Sequence, residues 1–218
     1  MRPKRIILIR HGESEGNLDK SRYQNTQDFA LKLTPAGIQQ AKEAGIQIGE
    51  LLGNQKVYVY LSPFFRTRET FQYIQESIDN NVVKAIEDPR IREQDWGHLR
   101  HPDDNKGIIE ERDNFSTFYY RIPDGESGAD VYDRVSSFFD TLHRDFEKPD
   151  FPENALIISH GLTVRLFLMR WFRWSVEEFE NLNNPKNCQI VVMEKQADNH
   201  YKLITELTRK NVALTKDL

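Results

Sequence analysis

Cysteine is nearly missing from this sequence, and so are long apolar runs, low-complexity tracts, repeats and any surplus of positive charge. A single cysteine, Cys188, among 218 residues rules out an intrachain disulfide framework and a cysteine-rich zinc site. It lies in the apolar stretch that runs from Cys188 to Met193 and reads as a buried structural thiol rather than a reactive one. The start of the chain is basic, but only four apolar residues follow, Ile6 to Ile9, too few for a signal peptide. No stretch approaches the length of a membrane span. The expectation is a cytoplasmic protein, with nuclear access open to a chain of this size. The net charge of −4 gives no global attraction to nucleic acid or to an anionic membrane. An anionic substrate would have to be held by a local positive cluster. No Pro/Gly/Ser-rich linker divides the chain, so one domain over residues 1–218 is expected.

What is present alternates between strand and helix patterns. Ile6-Ile7-Leu8-Ile9 is the continuous apolar run of a strand covered on both faces. Thr34-Pro35 then opens a helix whose buried face carries Ile38, Ala41, Ala44, Ile48 and Leu52. Val57 to Leu61 reads as the next strand, and Ser62-Pro63 is expected to open a helix in the same way. Val82 to Ile86 is a weaker strand candidate. Ser127 to Asp130 has capping-box spacing ahead of a helix that should stop near Pro149. Ala155 to Ile158 is a further buried strand, His160-Gly161 turns into another helix, and Ile190 to Met193 is a late strand. The alternation predicts a three-layer α/β/α sandwich with a mainly parallel central sheet. In such folds ligands bind beyond the carboxyl ends of the strands.

Three strand ends carry the chemistry: Arg10-His11-Gly12-Glu13, Ser62 to Arg66, and Ser159-His160-Gly161. If these strands are neighbours, two arginines and two histidines converge with helix N-termini on one edge of the sheet. That cluster repels itself until an anion binds, and a phosphate suits it, because guanidinium forks match its oxygens. Histidine can also carry a covalent intermediate. Glu93, between a strand candidate and the Trp96-Gly97 turn, is the candidate general acid; burial near a dianion would raise its pKa. Asp95 and His98 are next in line. Asn17 reads either as a turn residue or as a phosphate contact, and Gly161, where the chain turns into its helix, is a candidate substrate-binding residue. No coherent metal-ligand set is visible and no cofactor is called for.

These residues resemble the histidine phosphatase superfamily, in its phosphoglycerate mutase-like branch. Arg10 to Asn17 is similar to the family's opening signature, and Leu33 to Gly37 with Gln40-Ala41 to the segment that follows. Ser62 to Thr67 with Glu69-Thr70 resembles the second arginine motif, Ile91-Arg92-Glu93 with Gly97 the proton-donor motif, and Ser159-His160-Gly161 the second histidine motif. The resemblance implies a metal-independent enzyme in which His11 attacks phosphorus. Arg10, Arg66 and His160 would hold the phosphoryl group, and Glu93 would protonate the leaving group. The sequence departs from the pattern in Trp96 to Pro102 and in Lys20 to Asp28, where mutases carry a different segment. Between Glu93 and His160 there is room for one helix and one lid candidate, Ile108 to Arg121, whose aromatics could equally pack on the core.

The expected activity is therefore hydrolysis of small organic phosphate esters with broad specificity. A mutase or sugar-bisphosphatase of the same superfamily is the alternative. A silent module binding phosphorylated ligands is disfavoured because His11, His160, Arg10, Arg66 and Glu93 are all retained. Phosphoprotein substrates stay open, as does a homodimer built on the edge formed by the late strand and its neighbours.

Overall fold

The structure is a computed structural model that describes residues 2–98 and 102–210, with the side chains of 102–105 left out. Leu99, Arg100 and His101, part of the departure noted after Trp96, lie outside the described residues.

Among the described residues six strands form one sheet: β1 (Arg5–Arg10), β2 (Val57–Leu61), β3 (Val82–Glu87), β4 (Asn154–Ser159), β5 (Ile190–Lys195) and β6 (Tyr201–Leu203). Their spatial order is β3-β2-β4-β1-β5-β6. The first four are mutually parallel, and β5 and β6 run antiparallel. The late strand is therefore not an edge. β6 pairs with it from Met193 to Lys195, and Ile204 donates to the Val192 carbonyl, so its backbone is not free to pair with a second copy.

The apolar run of β1 is divided by strand alternation between two cores. Ile7 and Ile9 pack with α2 (Pro35–Leu52) and α3 (Phe65–Ile78) on one face. Ile6 and Leu8 pack with α5 (Gly128–Phe146) and α6 (Gly161–Phe172) on the other. The shorter helices are α1 (Glu15–Leu18) and α7 (Val176–Glu180), and α4 (Pro102–Phe115) precedes α5. Between α1 and α2 the chain forms a strap of two short 3-10 turns, Lys20–Gln24 and Asp28–Ala30.

Most helix starts follow the expected capping chemistry. Thr34 accepts from the Gly37 amide at the head of α2, and Ser127 forms a capping box with Asp130 at the head of α5. Helix α3 differs. It begins at Phe65, Phe64 is its N-cap without a side-chain bond, and Ser62 stays outside it. The Ser62 hydroxyl has another partner, described below. Cys188 is half-buried rather than buried. It sits ahead of β5 at φ 53°, donating its amide to the Arg10 carbonyl. Burial pushes its thiol pKa up to about 12, which disfavours the thiolate.

Candidate active site

Strand register brings the two histidines together. Arg10 of β1 pairs with Ser159 of β4, so His11 and His160 each lie one residue beyond the ends of adjacent parallel strands. From there β1 leads to helices on one face and β4 to helices on the other, which is the switch point where such sheets bind ligands. The imidazole centroids are 5.2 Å apart, edge to face. His160 is the N-cap of α6, and Arg66 lies in the first turn of α3, so two helix N-termini point at the same spot.

His11 is 2% exposed. Its Nδ1 donates to the Gly12 carbonyl at 2.7 Å, which leaves Nε2 without a proton, and Nε of Arg66 donates to that Nε2 at 3.2 Å. Burial, then the charges of Arg66 and Arg10, holds the His11 pKa well below its ordinary value of 6.5. His160 is fully buried, and burial followed by Arg66 lowers its pKa in the same way. Ser62 Oγ bonds Nε2 of His160 at 2.8 Å. The other ring nitrogen, Nδ1, has no hydrogen-bond partner among the described residues and lies 3.7 Å from Oε2 of Glu93. Nε of Arg10 is likewise buried without a partner, while Nη1 is held by the Pro185 carbonyl at 2.9 Å. An unpaired buried polar group costs about 1–3 kcal/mol. The orphaned nitrogens of Arg10 and His160 are thus places where the oxygens of a bound anion would gain most.

Glu93 stands on the loop after β3. Burial pushes its carboxyl above its ordinary value, the Asp28 carboxylate adds to that, and Arg66 and Arg10 oppose it. Arg134 of α5 organises the loop from behind, donating to the carbonyls of Arg90, Arg92 and Glu93 while pairing with Glu126. Ser159 and Thr163 bind the carbonyls of Ile91 and Arg92.

The residues of the opening signature brace His11. The Gly12 amide donates to Thr70, that of Glu13 to Gln40, and that of Leu33 to Glu69. A Cβ on Gly37 would meet the Glu13 carbonyl oxygen at 2.0 Å, so only glycine lets α2 approach this loop. Asn17 stands close by, but its Oδ1 is engaged with the Ser14 amide and with Asn187 Nδ2. Asn187 also donates to the His11 carbonyl. Gly161, at the start of α6, lies against Asn184.

Beside the cluster opens a cleft of about 610 Å³. Its walls are the strap (Tyr23, Gln24, Thr26 to Phe29), Phe64, and the loop from Arg92 to His98. The segment Ile108 to Arg121 does not line it. Phe118 is 7% exposed and packs into the core against Tyr132 and Phe179, whereas Phe115 and Tyr119 are 71% and 59% exposed. Its link to the cleft is Arg112, stacked on Trp96 at 4.9 Å. The strap occupies the place that the aromatic content of 108–121 had suggested for a lid.

Sequence reasoning missed four contributors: Asp28, Ser62 as the partner of His160, Asn187, and the Arg134–Glu126 pair. It also saw no metal-ligand set, whereas His11, Glu93 and His160 bring one potential ligand atom each to within 4.8 Å of one another.

A mainly parallel α/β sheet that gathers two histidines and two arginines at its strand ends is built to attract an anion, and sequence comparison gives the class of protein. Residues 6–205 match the model of the histidine phosphatase superfamily (branch 1), and the chain belongs to that superfamily. It is 46% identical to the phosphoglycerate mutase-like protein AT74 of Arabidopsis thaliana, over 97% of this chain and 71% of that protein. It is 30% identical to the broad-range acid phosphatase DET1 of Saccharomyces cerevisiae, over 95% of this chain and 90% of that one. Among solved structures, a mycobacterial glucosyl-3-phosphoglycerate phosphatase complexed with VO3 shares the fold at a TM-score of 0.72 and 21% identity, covering 94% of this chain and 99% of that one. Among the described residues, no helix is long and apolar enough to cross a membrane.

Proposed function

We infer that this protein is a phosphomonoester hydrolase acting through a phosphohistidine on His11, with small organic phosphates as substrates. The observation that carries the reading is the state of His11: a buried, neutral imidazole with its proton held on Nδ1 and its Nε2 lone pair facing a guanidinium. That nitrogen attacks phosphorus and the bond from phosphorus to the ester oxygen breaks. Arg10, Arg66 and His160 hold the equatorial oxygens, where fixed charge is the main thing phosphoryl transfer asks of a protein. The Ser62 hydroxyl can donate to Nε2 of His160, which puts a proton on Nδ1, ready for a phosphoryl oxygen. Glu93 gives its proton to the leaving alkoxide. It then takes one from the water that attacks the phosphohistidine, releasing inorganic phosphate and restoring His11.

Rapid quenching with a labelled ester tests the mechanism. Acid-labile, base-stable phosphate is expected on the wild type and not on His11→Ala; full activity of His11→Ala would falsify the mechanism. The same assay with a bisphosphoglycerate primer separates hydrolysis from a mutase reaction, which would interconvert phosphoglycerates.

The reaction proposed needs no metal. The three possible ligand atoms share their space with Arg10 and Arg66, whose charges repel a cation, and Nε2 of His11 already accepts from Arg66. Treatment with EDTA should leave turnover unchanged. Loss of turnover that Mg²⁺ or Zn²⁺ restores would count against this.

A further inference from the structure

Arg66 is the most committed cation in the site, and its partners divide it in two. Nη1 donates to both the backbone carbonyl and Oδ1 of Asp28, at 2.7 and 2.8 Å. Nη2 is only loosely engaged, 3.5 Å from Oδ2 of the same carboxylate. Nε points the other way, to Nε2 of His11 at 3.2 Å. The guanidinium plane also rests on the Phe64 ring, 4.9 Å from its centroid. Asp28 therefore takes the end-on side of the fork, and the side-on edge, Nε with Nη2, is turned toward the nucleophile. Arg66 is only 3% exposed, and its strongest protein bonds come from a strap that otherwise consists of short 3-10 turns.

A guanidinium has five donors in a rigid plane, so fixing one edge fixes the direction of the other. We propose that Asp28 is the positioning residue of the phosphoryl site: by holding Nη1 of Arg66 it aims the Nε–Nη2 edge at the phosphoryl group on His11, and it ties that cation to the strap that walls the leaving-group cleft. Phosphate binding and the shape of the cleft are then coupled through one side chain. An ester whose alcohol displaces the strap pulls on Arg66, so leaving-group choice is read as phosphoryl positioning. The inference rests on the phosphohistidine reading for its catalytic consequence but not for its effect on anion binding.

Three substitutions separate position from charge. Asp28→Asn loses the charge but keeps an acceptor in the same place. Asp28→Glu keeps the charge but moves it by one methylene. Asp28→Ala loses both. The readouts are inorganic phosphate affinity by calorimetry and the single-turnover rate of phosphohistidine formation from p-nitrophenyl phosphate, whose leaving group does not need the Glu93 proton that the Asp28 charge helps to hold. Asp28→Ala is expected to weaken phosphate about tenfold, the worth of one charge-assisted hydrogen bond. It should also slow phosphohistidine formation by up to about 10²-fold, as a misplaced catalytic group does. Asp28→Glu should be impaired in both, and Asp28→Asn should recover most of each.

Tighter phosphate binding in Asp28→Ala would overturn the proposal and make Asp28 a competitor for the anion site. Equal behaviour of all three variants and the wild type would overturn it too, as would Asp28→Glu outperforming Asp28→Asn. Because Asp28 is partly exposed, with 24% of its side chain accessible, the Asn and Glu variants leave no cavity and carry the test even if the Ala variant folds poorly. If no phosphohistidine forms but phosphate affinities follow the stated order, the covalent mechanism fails and the role of Asp28 stands.

Discussion

Glu93 must hold a proton at working pH to act as an acid, and its surroundings arrange that. Burial and the Asp28 charge raise its pKa, only partly offset by Arg66 and Arg10. Activity should therefore persist above the ordinary carboxylate range and fall on the alkaline side, as Glu93 gives up its proton. The need for that proton depends on the leaving group. An alkoxide needs it, whereas a nitrophenolate departs without it. Glu93→Gln keeps the shape and cannot donate an acidic proton, so it should slow alkyl phosphates by about 10²–10⁴-fold. It should slow p-nitrophenyl phosphate much less. Single-turnover formation of phosphohistidine is the measurement, because slow dephosphorylation would mask the contrast. Equal slowing of both esters would reduce Glu93 to a positioning residue and bring Asp95 or His98 forward. The gathering of His11, Arg66, Glu93 and His160 at one place was legible in the sequence because each follows a strand of the sheet. Asp28 was not, since it contacts Arg66 across 38 positions through a strap with no periodicity. Ser62 misled for a different reason: Ser-Pro ahead of a helix looks like a cap, and here the hydroxyl serves His160 instead.

Helix α5 does at the level of an element what Asp28 does for Arg66. Arg134 spans three carbonyls of one loop, at 2.6 Å to Arg90, 2.9 Å to Arg92 and 3.0 Å to Glu93, and is itself fixed by Glu126. The loop that carries Glu93 has little regular structure, only a short 3-10 turn at Pro89–Ile91, so its shape comes from this fork. A lysine keeps the charge but cannot span the carbonyls. Arg134→Lys should therefore lower kcat by roughly 10- to 10²-fold on alkyl phosphates. The loss should be smaller on p-nitrophenyl phosphate, since Arg134 acts through Glu93. A uniform loss across leaving groups would instead mean a general folding defect. The helix itself was legible: its apolar spacing and capping box both appear in the sequence, and the structure starts it at Gly128. So were the buried strands, whose unbroken apolar runs belong to strands covered on both faces. The aromatics of 108–121 were ambiguous because core packing and surface exposure use the same residue types, and the structure divides them between the two. The pairing of β5 with β6 was hidden for lack of a signal, since Tyr201–Leu203 is too short to read as a strand.

At the scale of the molecule, a protein of net charge −4 keeps two arginines and two imidazoles packed at one point. It does so by leaving both imidazoles neutral, and this has a consequence for stability. His11 and His160 have folded pKa values well below 6.5, their ordinary value and the one expected in the unfolded chain. Above that value neither state binds the proton, and the histidines contribute nothing to pH dependence. Below it the unfolded chain takes up protons that the folded protein refuses, so stability falls as pH falls. Each such histidine costs up to about 1.4 kcal/mol per pH unit in this window. Glu93, with a raised pKa, slopes the opposite way, but it is present in every protein compared. His160→Asn removes one titrating ring while keeping a partner for Ser62. Urea unfolding at pH 7.5 and 5.5 should show the variant losing about 1.4 kcal/mol less than the wild type between the two. Inorganic phosphate should relieve the wild-type loss, because an anion between the rings favours their protonation. At a hundredfold excess over its Kd, phosphate should also stabilise the fold by about 2.7 kcal/mol through mass action. If His160→Asn is as acid-sensitive as the wild type, or if phosphate stabilises neither protein, then the rings do not form a neutral pair awaiting an anion, and the reading of the site loses its electrostatic basis.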